Sequence, residues 1–465
     1  MLDKQTLQSR LQSYSHEHLL QFWDELTDEQ RAALVADIES VDFDLLRDLT
    51  VREQAATDWA ALAARAEPPP AIRLEDPRPE PSRPEAIEAG EEALRQGKVG
   101  MILVAGGQGT RLGFAPPKGM FPIGPLSGRT LYQMHADRLR AVMRRYGKTI
   151  PLFVMTSPAT DAETRAYFRD HHWLGLDPQH VHIFCQGTMP AVDDQHGRLL
   201  LAEKHRLALS PDGHGGVVAA LHKNRCLQAA AEAGIDYFYY AQVDNPMARL
   251  CEPELIGYHI LARSQMTTQV VKKRFPTEKV GNVVMVDGKV QIIEYSDLPE
   301  QFAEQTNPDG SLRLWAGNIA IHVFDRSFLE AAVDAADALP FHRAHKKVSY
   351  VDAQGNRVEP TEPNAIKFER FVFDLLPLAD NAIVVEADAA EVFAPVKNAN
   401  GAAVDTPEQA QQAMLHLHRR WLETAGANVP SDIRVEINPL WALDADEVQQ
   451  KLPQGIDFVA DTYLR

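Results

Sequence analysis

The sequence predicts an α/β protein built on a mixed sheet, and three features predict it. The first is VGMILVAGG (Val99–Gly107), a short apolar run that ends in glycines, as buried parallel strands do. The second is a pair of similar runs, PLFVMTS (Pro151–Ser157) and YFYYAQVD (Tyr237–Asp244), each preceded by a helical stretch. The third is the pair VGNVVMVDGKVQIIEYS and LWAGNIAIHVF, which read as antiparallel additions with a hairpin turn at Asp287–Gly288. This alternation places ligands at the carboxyl ends of the strands.

With 465 residues the chain exceeds one ordinary domain and suits a large domain with smaller ones attached. Residues 1 to about 65 read as helices, because Leu19, Leu20, Phe22, Trp23 and Leu26, then Leu34, Val35 and Ile38, recur at helical spacing. Residues 67–84 carry seven prolines and many charges, which exclude a regular helix or central strand and predict an extended surface linker. A helix from Glu85 to Gln96, closed by Gly97, completes a helical region over 1–97. The main α/β domain is expected over 98–385. Residues 386–465, with a helix over Pro407–Ala425 and short strand-like pieces, are expected to form a small lid-like domain.

Composition excludes several classes of function. The content is 45% hydrophobic and 24% charged, as in soluble globular proteins, and no run approaches the ~20 apolar residues of a membrane span. The opening segment, MLDKQTLQSRLQSYSHEHLL, is polar and amphipathic, and is expected not to be a signal peptide. Cys185, Cys226 and Cys251 are odd in number and widely spaced; this argues against a disulfide framework or a four-cysteine zinc site and for a reducing cytoplasm. A formal charge of −18 argues against nucleic acid as a partner. Small anionic substrates stay open, since a few basic residues in one cleft suffice for them.

The richest segment is LVAGGQGTRLGFAPPKG (Leu103–Gly119), where a buried strand delivers the chain into Gly106, Gly107, Gly109 and Gly113. Glycines allow close backbone approach, so the loop N–H groups can converge on phosphate oxygens, and Arg111 and Lys118 add two cations beside them. It is not a Walker A loop, because Phe114 rather than lysine follows Gly113. The spacing Gly107-x-Gly109-x-x-x-Gly113 is one residue too long for the dinucleotide fingerprint, which speaks against a dehydrogenase. Glycines alone would also fit a bare strand-to-helix turn. Thr110, Arg111 and the Pro117-Lys118-Gly119 tail favour a phosphate site.

This loop resembles the signature of the eukaryotic-type UDP-sugar pyrophosphorylases, and among them is most similar to the UDP-N-acetylhexosamine pyrophosphorylases. The likeness continues, in the family's order, through the N-terminal SHEHLLQFWDELTDEQRAALVADIESVDF, then FCQGTMPAV, LSPDGHGGVVAAL and AQVDNPM. It extends through PTEKVGNVVMVDGKVQIIEYSDL, WAGNIAIHVF, EPNAIKFERFVFDLLP and FAPVKNANG. The resemblance implies a Rossmann-like mixed-sheet nucleotidyltransferase core, of the GT-A-like kind, over 98–385. It also implies UTP and a sugar 1-phosphate as substrates, with Mg²⁺ and no tightly bound organic cofactor.

Motif by motif, the resemblance assigns residues. Val104, Ala105, Gly106 and Gly107 would touch the nucleotide, and Arg111 and Lys118 its phosphates. Gln186 would read uracil, its amide offering a donor and an acceptor; without the family it reads as a surface glutamine at a strand end. Gly213 and His214 lie in the PDGHGG turn against the base. Asp244, at the end of YFYYAQVD, would hold Mg²⁺, although its own segment fits a cap of the following helix equally well. Gly281, Glu294, Tyr295 and Asn318 would face the sugar. Lys367 in AIKFE and Lys397 in PVKNA would contact phosphates, although isolated lysines usually are solvated surface. His214 stands where the acetylhexosamine enzymes carry asparagine and is reminiscent of the UDP-glucose and broad UDP-sugar branches; AGNIA and EYSD favour the acetylhexosamine branch. The pairs His171–His172 and His416–His418 lack a ligand set and read as structural, as do the cysteines.

The implied reaction is in-line displacement at the α-phosphorus of UTP by the sugar 1-phosphate, with N-acetylglucosamine 1-phosphate first among sugars. The nucleophile is already an anion, so Arg111, Lys118, Lys397 and the metal would act by positioning and charge neutralisation. A broad or glucose-specific pyrophosphorylase and a non-catalytic UDP-sugar binder are the alternatives.

Overall fold

Apolar runs with both faces covered make central strands. In the computed structural model, which describes residues 4–51, 58–336, 339–453 and 455–465, they form a ten-stranded sheet. Its strands are β1 (Ala71–Ile72), β2 (Val99–Val104), β3 (Leu152–Thr156), β4 (Val181–Cys185), β5 (Tyr237–Gln242), β6 (Met266–Lys272), β7 (Asn282–Val286), β8 (Lys289–Ile293), β9 (Ala316–Asp325) and β10 (Ala382–Glu386). The spatial order is β1-β10-β6-β9-β5-β2-β3-β4, with the β7–β8 hairpin attached to β9. Strands β5, β2, β3 and β4 run parallel, and β9 lies antiparallel between β5 and β6. The hairpin turns at Asp287 and Gly288, both at positive φ (51° and 78°), as a type I′ turn requires. The mixed sheet is therefore as the sequence predicts.

The proline-rich segment lies along the sheet edge. Within it Ala71 and Ile72 pair parallel to β10 and Glu67 forms an isolated bridge with Met285; none of these is a proline, consistent with proline's missing N–H. Arg73 then binds Glu386 at 2.6 Å and lies 3.6 Å over the Trp315 ring.

Chain contacts divide the protein into two units, the larger comprising residues 59–185, 218–335 and 375–465. Its core holds Met101, Leu103, Val154, Tyr239 and Ile321 from the sheet, and also Val392, Val396, Ala410, Met414 and Leu417 from the C-terminal region. Four of its helices are α1 (Arg83–Arg95), α2 (Leu131–Tyr146), α3 (Pro253–Leu261) and α4 (Pro407–Thr424). Helix α1 starts where Glu85 accepts the Ser82 backbone N–H and ends at Gly97, whose φ is +71°. A Cβ on Gly257 of α3 would lie 1.6 Å from the Ala86 carbonyl oxygen, and one on Gly90 of α1 would lie 1.8 Å from that of Pro253. The helices touch backbone to backbone there. Gly257→Ala should therefore force them apart and cost about 2–3 kcal/mol, the upper range for overpacking, measured as a lowered midpoint in urea. An unchanged midpoint would show that this contact does not restrict the packing.

The smaller unit comprises residues 1–58, 186–217 and 336–374. Helices Lys4–Gln12, Asp28–Glu39 and Phe43–Val51 surround a core of Leu7, Leu34, Ile38, Leu201 and Phe368. Thr27 caps the second helix in a capping box with Gln30. The predicted helix through Leu19–Leu26 is two single 3₁₀ turns, Glu17–Leu20 and Trp23–Glu25. Ser15, at φ +62°, and non-helical His16 and Phe22 interrupt it, yet Leu19, Leu20, Phe22 and Leu26 are buried as their spacing implied. The parts of the helical reading at 1–3 and 52–57 lie outside the described residues. A three-stranded sheet pairs His342–Lys346, Ala365–Glu369 and Val192–Asp193. Among the described residues no helix is long and apolar enough to cross a membrane.

Candidate functional site

Strand β2 leads to β3 and β4 on one side, while β5 pairs on its other side. The crevice at the carboxyl ends of β2 and β5 is therefore the switch point of the parallel part of the sheet, where ligands of such folds bind. The glycine loop leaves β2 there and Asp244 leaves β5 there, because Gln242 is paired with Val104.

The loop is fastened along its length. Ala105 N–H donates to Met155, the Gly106 carbonyl accepts from Ser157 Oγ at 2.7 Å, and Lys118 N–H donates to Gly107. A Cβ on Gly109 would lie 2.6 Å from the Phe114 carbonyl, and Gly113 is at φ +70°. These two glycines shape the loop. Gly107 differs, since above it only the Lys118 side chain comes within 4.0 Å. Among the described residues, the N–H groups of Gly106 and Gly107 donate to no protein acceptor. Arg111 is exposed in the 3₁₀ turn Thr110–Leu112 of the same loop, and Val104 and Ala105 complete the strand end.

Lys118 Nζ lies 3.6 Å from the Asp244 carboxylate, and both side chains are largely buried. The helix after Asp244 begins only at Pro253, with Glu252 as its cap residue, so Asp244 does not cap it. The Asp244 carbonyl accepts the Val396 N–H, which brings Lys397 to the same place, and the Lys397 N–H is held by the Asp405 carbonyl. The glycine loop, Lys118, Asp244 and Lys397 thus converge.

Among the described residues no three His, Cys, Asp or Glu side chains gather to cage a metal ion. A single buried carboxylate beside a cation fits Mg²⁺ of the kind that binds through one or two carboxylates plus substrate phosphates and keeps several waters. The pairs His171–His172 and His416–His418 form no metal cluster either. His418 is buried with Nδ1 accepting the Ile437 N–H, and burial lowers its pKa to about 3.

A second group in the larger unit surrounds Gly281. A Cβ there would lie 3.0 Å from a Glu294 carboxylate oxygen and 3.7 Å from Asn318 Cβ. The Asn318 N–H donates to the Gly281 carbonyl, and the Asn318 side-chain oxygen accepts the N–H of Ala320, itself at φ +56°. The β6–β9 register shifts beside Asn318, and such a bulge re-aims a side chain. Tyr295 follows Glu294 and is 46% exposed. A carboxylate and a carboxamide around a bare backbone form a hydrogen-bonding set suited to hydroxyl and amide groups.

In the smaller unit, Gln186 is buried and its Nε2 donates to both Asp212 Oδ1 and the Gly213 carbonyl, each at 3.0 Å. Both amide hydrogens are thus engaged, so Gln186 presents an acceptor, Oε1, rather than the donor–acceptor pair its residue type suggests. Gly213 is at φ +85° with its Cα close against the Arg370 backbone. His214 stacks on Phe371, with ring centroids 5.2 Å apart, and its Nδ1 accepts the Val372 N–H. Burial lowers its pKa to about 4, so at neutral pH the ring is uncharged with its proton on Nε2. Lys367 is half-buried in the middle strand of the small sheet, opposite Ala344.

Sequence reasoning missed two side chains, His135 and Arg138 of α2, which bind the backbone around Asp244. Their i, i+3 spacing was visible, but their target is more than a hundred residues away.

Known proteins resemble this chain in sequence and in fold. Residues 72–451 match the family model described as UTP–glucose-1-phosphate uridylyltransferase. The human UDP-N-acetylhexosamine pyrophosphorylase-like protein 1 is 41% identical over 446 residues, covering 92% of this chain and 87% of that protein. The UDP-N-acetylglucosamine pyrophosphorylase of Saccharomyces cerevisiae is 37% identical, covering 78% of this chain and 77% of that protein. In three dimensions, the uridine diphosphate N-acetylglucosamine pyrophosphorylase of Trypanosoma brucei, solved with an inhibitor, superposes with a TM-score of 0.82 at 28% identity, covering 100% of this chain and 98% of that one.

Proposed function

The chain belongs to the UTP–glucose-1-phosphate uridylyltransferase family, and from that premise we propose that it joins UTP to N-acetylglucosamine 1-phosphate, giving the UDP-sugar and pyrophosphate. One observation supports this most. Two loop amides, at Gly106 and Gly107, that donate to no acceptor among the described residues stand beside a lysine–aspartate pair at the switch point of the sheet. That set offers donors and a cation to phosphates, and a carboxylate to the cation that accompanies them.

A sugar 1-phosphate oxygen attacks the α-phosphorus while the bond to pyrophosphate breaks, so both negative charges must be held in line. The amides of Gly106 and Gly107 orient the nucleotide's phosphates. Lys118, Arg111 and Lys397 neutralise charge as it moves onto the leaving pyrophosphate, with Lys367 a further phosphate contact. Mg²⁺ at Asp244, when bound, supplies additional neutralisation of phosphate oxygens. Gln186 Oε1 accepts from the uracil N3–H, which cytosine lacks, and the uncharged His214 offers Nε2–H as a donor in the way an asparagine amide would. Gly281, Glu294, Tyr295 and Asn318 receive the sugar. The setting is taken to be the cytoplasm, in keeping with three widely spaced cysteines, odd in number, and the partners to be small molecules rather than nucleic acid.

His214 favours a second reading, a broader UDP-sugar pyrophosphorylase. Pyrophosphate release from UTP across a panel of sugar 1-phosphates separates the two. N-acetylglucosamine 1-phosphate should lead glucose 1-phosphate in kcat/KM by about tenfold or more, as a site built to pair an amide rejects a substrate lacking it. A lead for glucose 1-phosphate would establish the second reading. Tight UDP-sugar binding with no release from any sugar would make the protein a non-catalytic binder.

A further inference from the structure

Helix α2 follows the glycine loop and sends two side chains, one turn apart, to the segment after β5. His135, only 2% exposed, contacts the Val243 carbonyl through Nε2 at 3.0 Å, and since a carbonyl only accepts, Nε2 carries the proton. Arg138 Nη1 donates to the carbonyls of Pro246, at 2.8 Å, and Ala248. Among the described residues these partners of the guanidinium are carbonyls rather than carboxylates. The same segment is tied from the other side by Asn245, whose Nδ2 donates to Val392 and whose Oδ1 accepts from Met247 and Ala394. Asp244 stands in the middle of this binding, and its own carbonyl takes the Val396 N–H.

A half-buried guanidinium whose hydrogen-bond partners among the described residues are carbonyls gains no ion pair there, and an apolar side chain would pack without desolvating a charge. What arginine adds is a planar fork that fixes two carbonyls at once. Those carbonyls belong to the turn Asn245–Ala248, which directly follows the Gln242–Asn245 turn that carries Asp244. We propose that Arg138 is a positioning residue for the divalent ion: by fixing the 246–248 backbone it aims the Asp244 carboxylate at the ion that accompanies the nucleotide's phosphates. The inference rests on Asp244 being the protein's ligand to that ion.

The test uses Mn²⁺ as the probe, with free ion followed by its paramagnetic resonance signal in the presence of UDP-N-acetylglucosamine, alongside steady-state kinetics. Arg138→Lys keeps a cation in the pocket and loses the fork. It should bind Mn²⁺ about tenfold more weakly, the lower range for residues that orient a metal ligand, while KM for the sugar 1-phosphate stays at the wild-type value. If Arg138→Lys does not fold, judged by thermal unfolding, Arg138→Gln, which retains one donor group without the charge, takes its place. Wild-type Mn²⁺ affinity in either folded variant overturns the proposal, as does an equal rise in the sugar 1-phosphate KM, which would mark general damage. Asp244→Asn reports separately on the premise. If it leaves Mn²⁺ binding unchanged, Asp244 is not the ligand, whatever Arg138 does.

Discussion

Lys118→Ala lowers turnover about a hundred- to a thousandfold and leaves the fold intact. The size is that of one positioned charge acting on developing negative charge in a water-poor site, ~3–4 kcal/mol of transition-state stabilisation. The fold survives because the lysine side chain joins no core; its ion pair is with Asp244, and its backbone N–H, which fastens the loop to Gly107, is kept. Circular dichroism and a thermal melt check the fold, and pyrophosphate release under saturating substrates checks the rate. Turnover near the wild-type value would show that another cation, Arg111 or Lys397, does this work.

The second large effect is at the other member of the pair. Asp244→Asn is nearly isosteric, so the turn bound by His135, Arg138 and Val396 stays in place and only the charge is lost. Turnover should fall about a thousandfold, the several kcal/mol a metal site contributes to phosphate chemistry, and the remaining rate should no longer follow Mg²⁺ concentration. Because Lys118 and Asp244 are 3.6 Å apart, the double variant should lose much less than the product of the single losses. A rate in Asp244→Asn that still rises with Mg²⁺ as in the wild type would place the ion elsewhere.

The sequence made the sheet legible because buried strands leave a composition signal that needs no knowledge of neighbours. VGMILV is apolar throughout, LFVMT and YFYYAQ up to their last residues, Thr156 and Gln242, and Asp287–Gly288 marks its own hairpin. The glycine loop was legible for a related reason, since a Cβ at 109 would meet the Phe114 carbonyl and 113 takes the positive φ that glycine favours. Long-range geometry was not. Nothing near Asp244 says that Lys118 would approach it, or that the Val396 N–H would hold its carbonyl. By residue type the amide of Gln186 offers a uracil edge a donor and an acceptor, but Asp212 and the Gly213 carbonyl take both of its hydrogens. Asn318 shows the same limit, because its direction is set by a register shift between β6 and β9 that no local pattern encodes. In the N-terminal region, helical spacing gave the buried face correctly and missed the breaks at Ser15 and Phe22, where apolar side chains pack equally well from 3₁₀ turns.

The most direct measurement is a crystal structure of the protein with UTP or UDP-N-acetylglucosamine. Phosphate oxygens should lie within about 3 Å of the N–H groups of Gly106 and Gly107, with Lys118 turned from Asp244 toward them. A nucleotide bound elsewhere, with those amides facing only solvent, would contradict the account at its foundation.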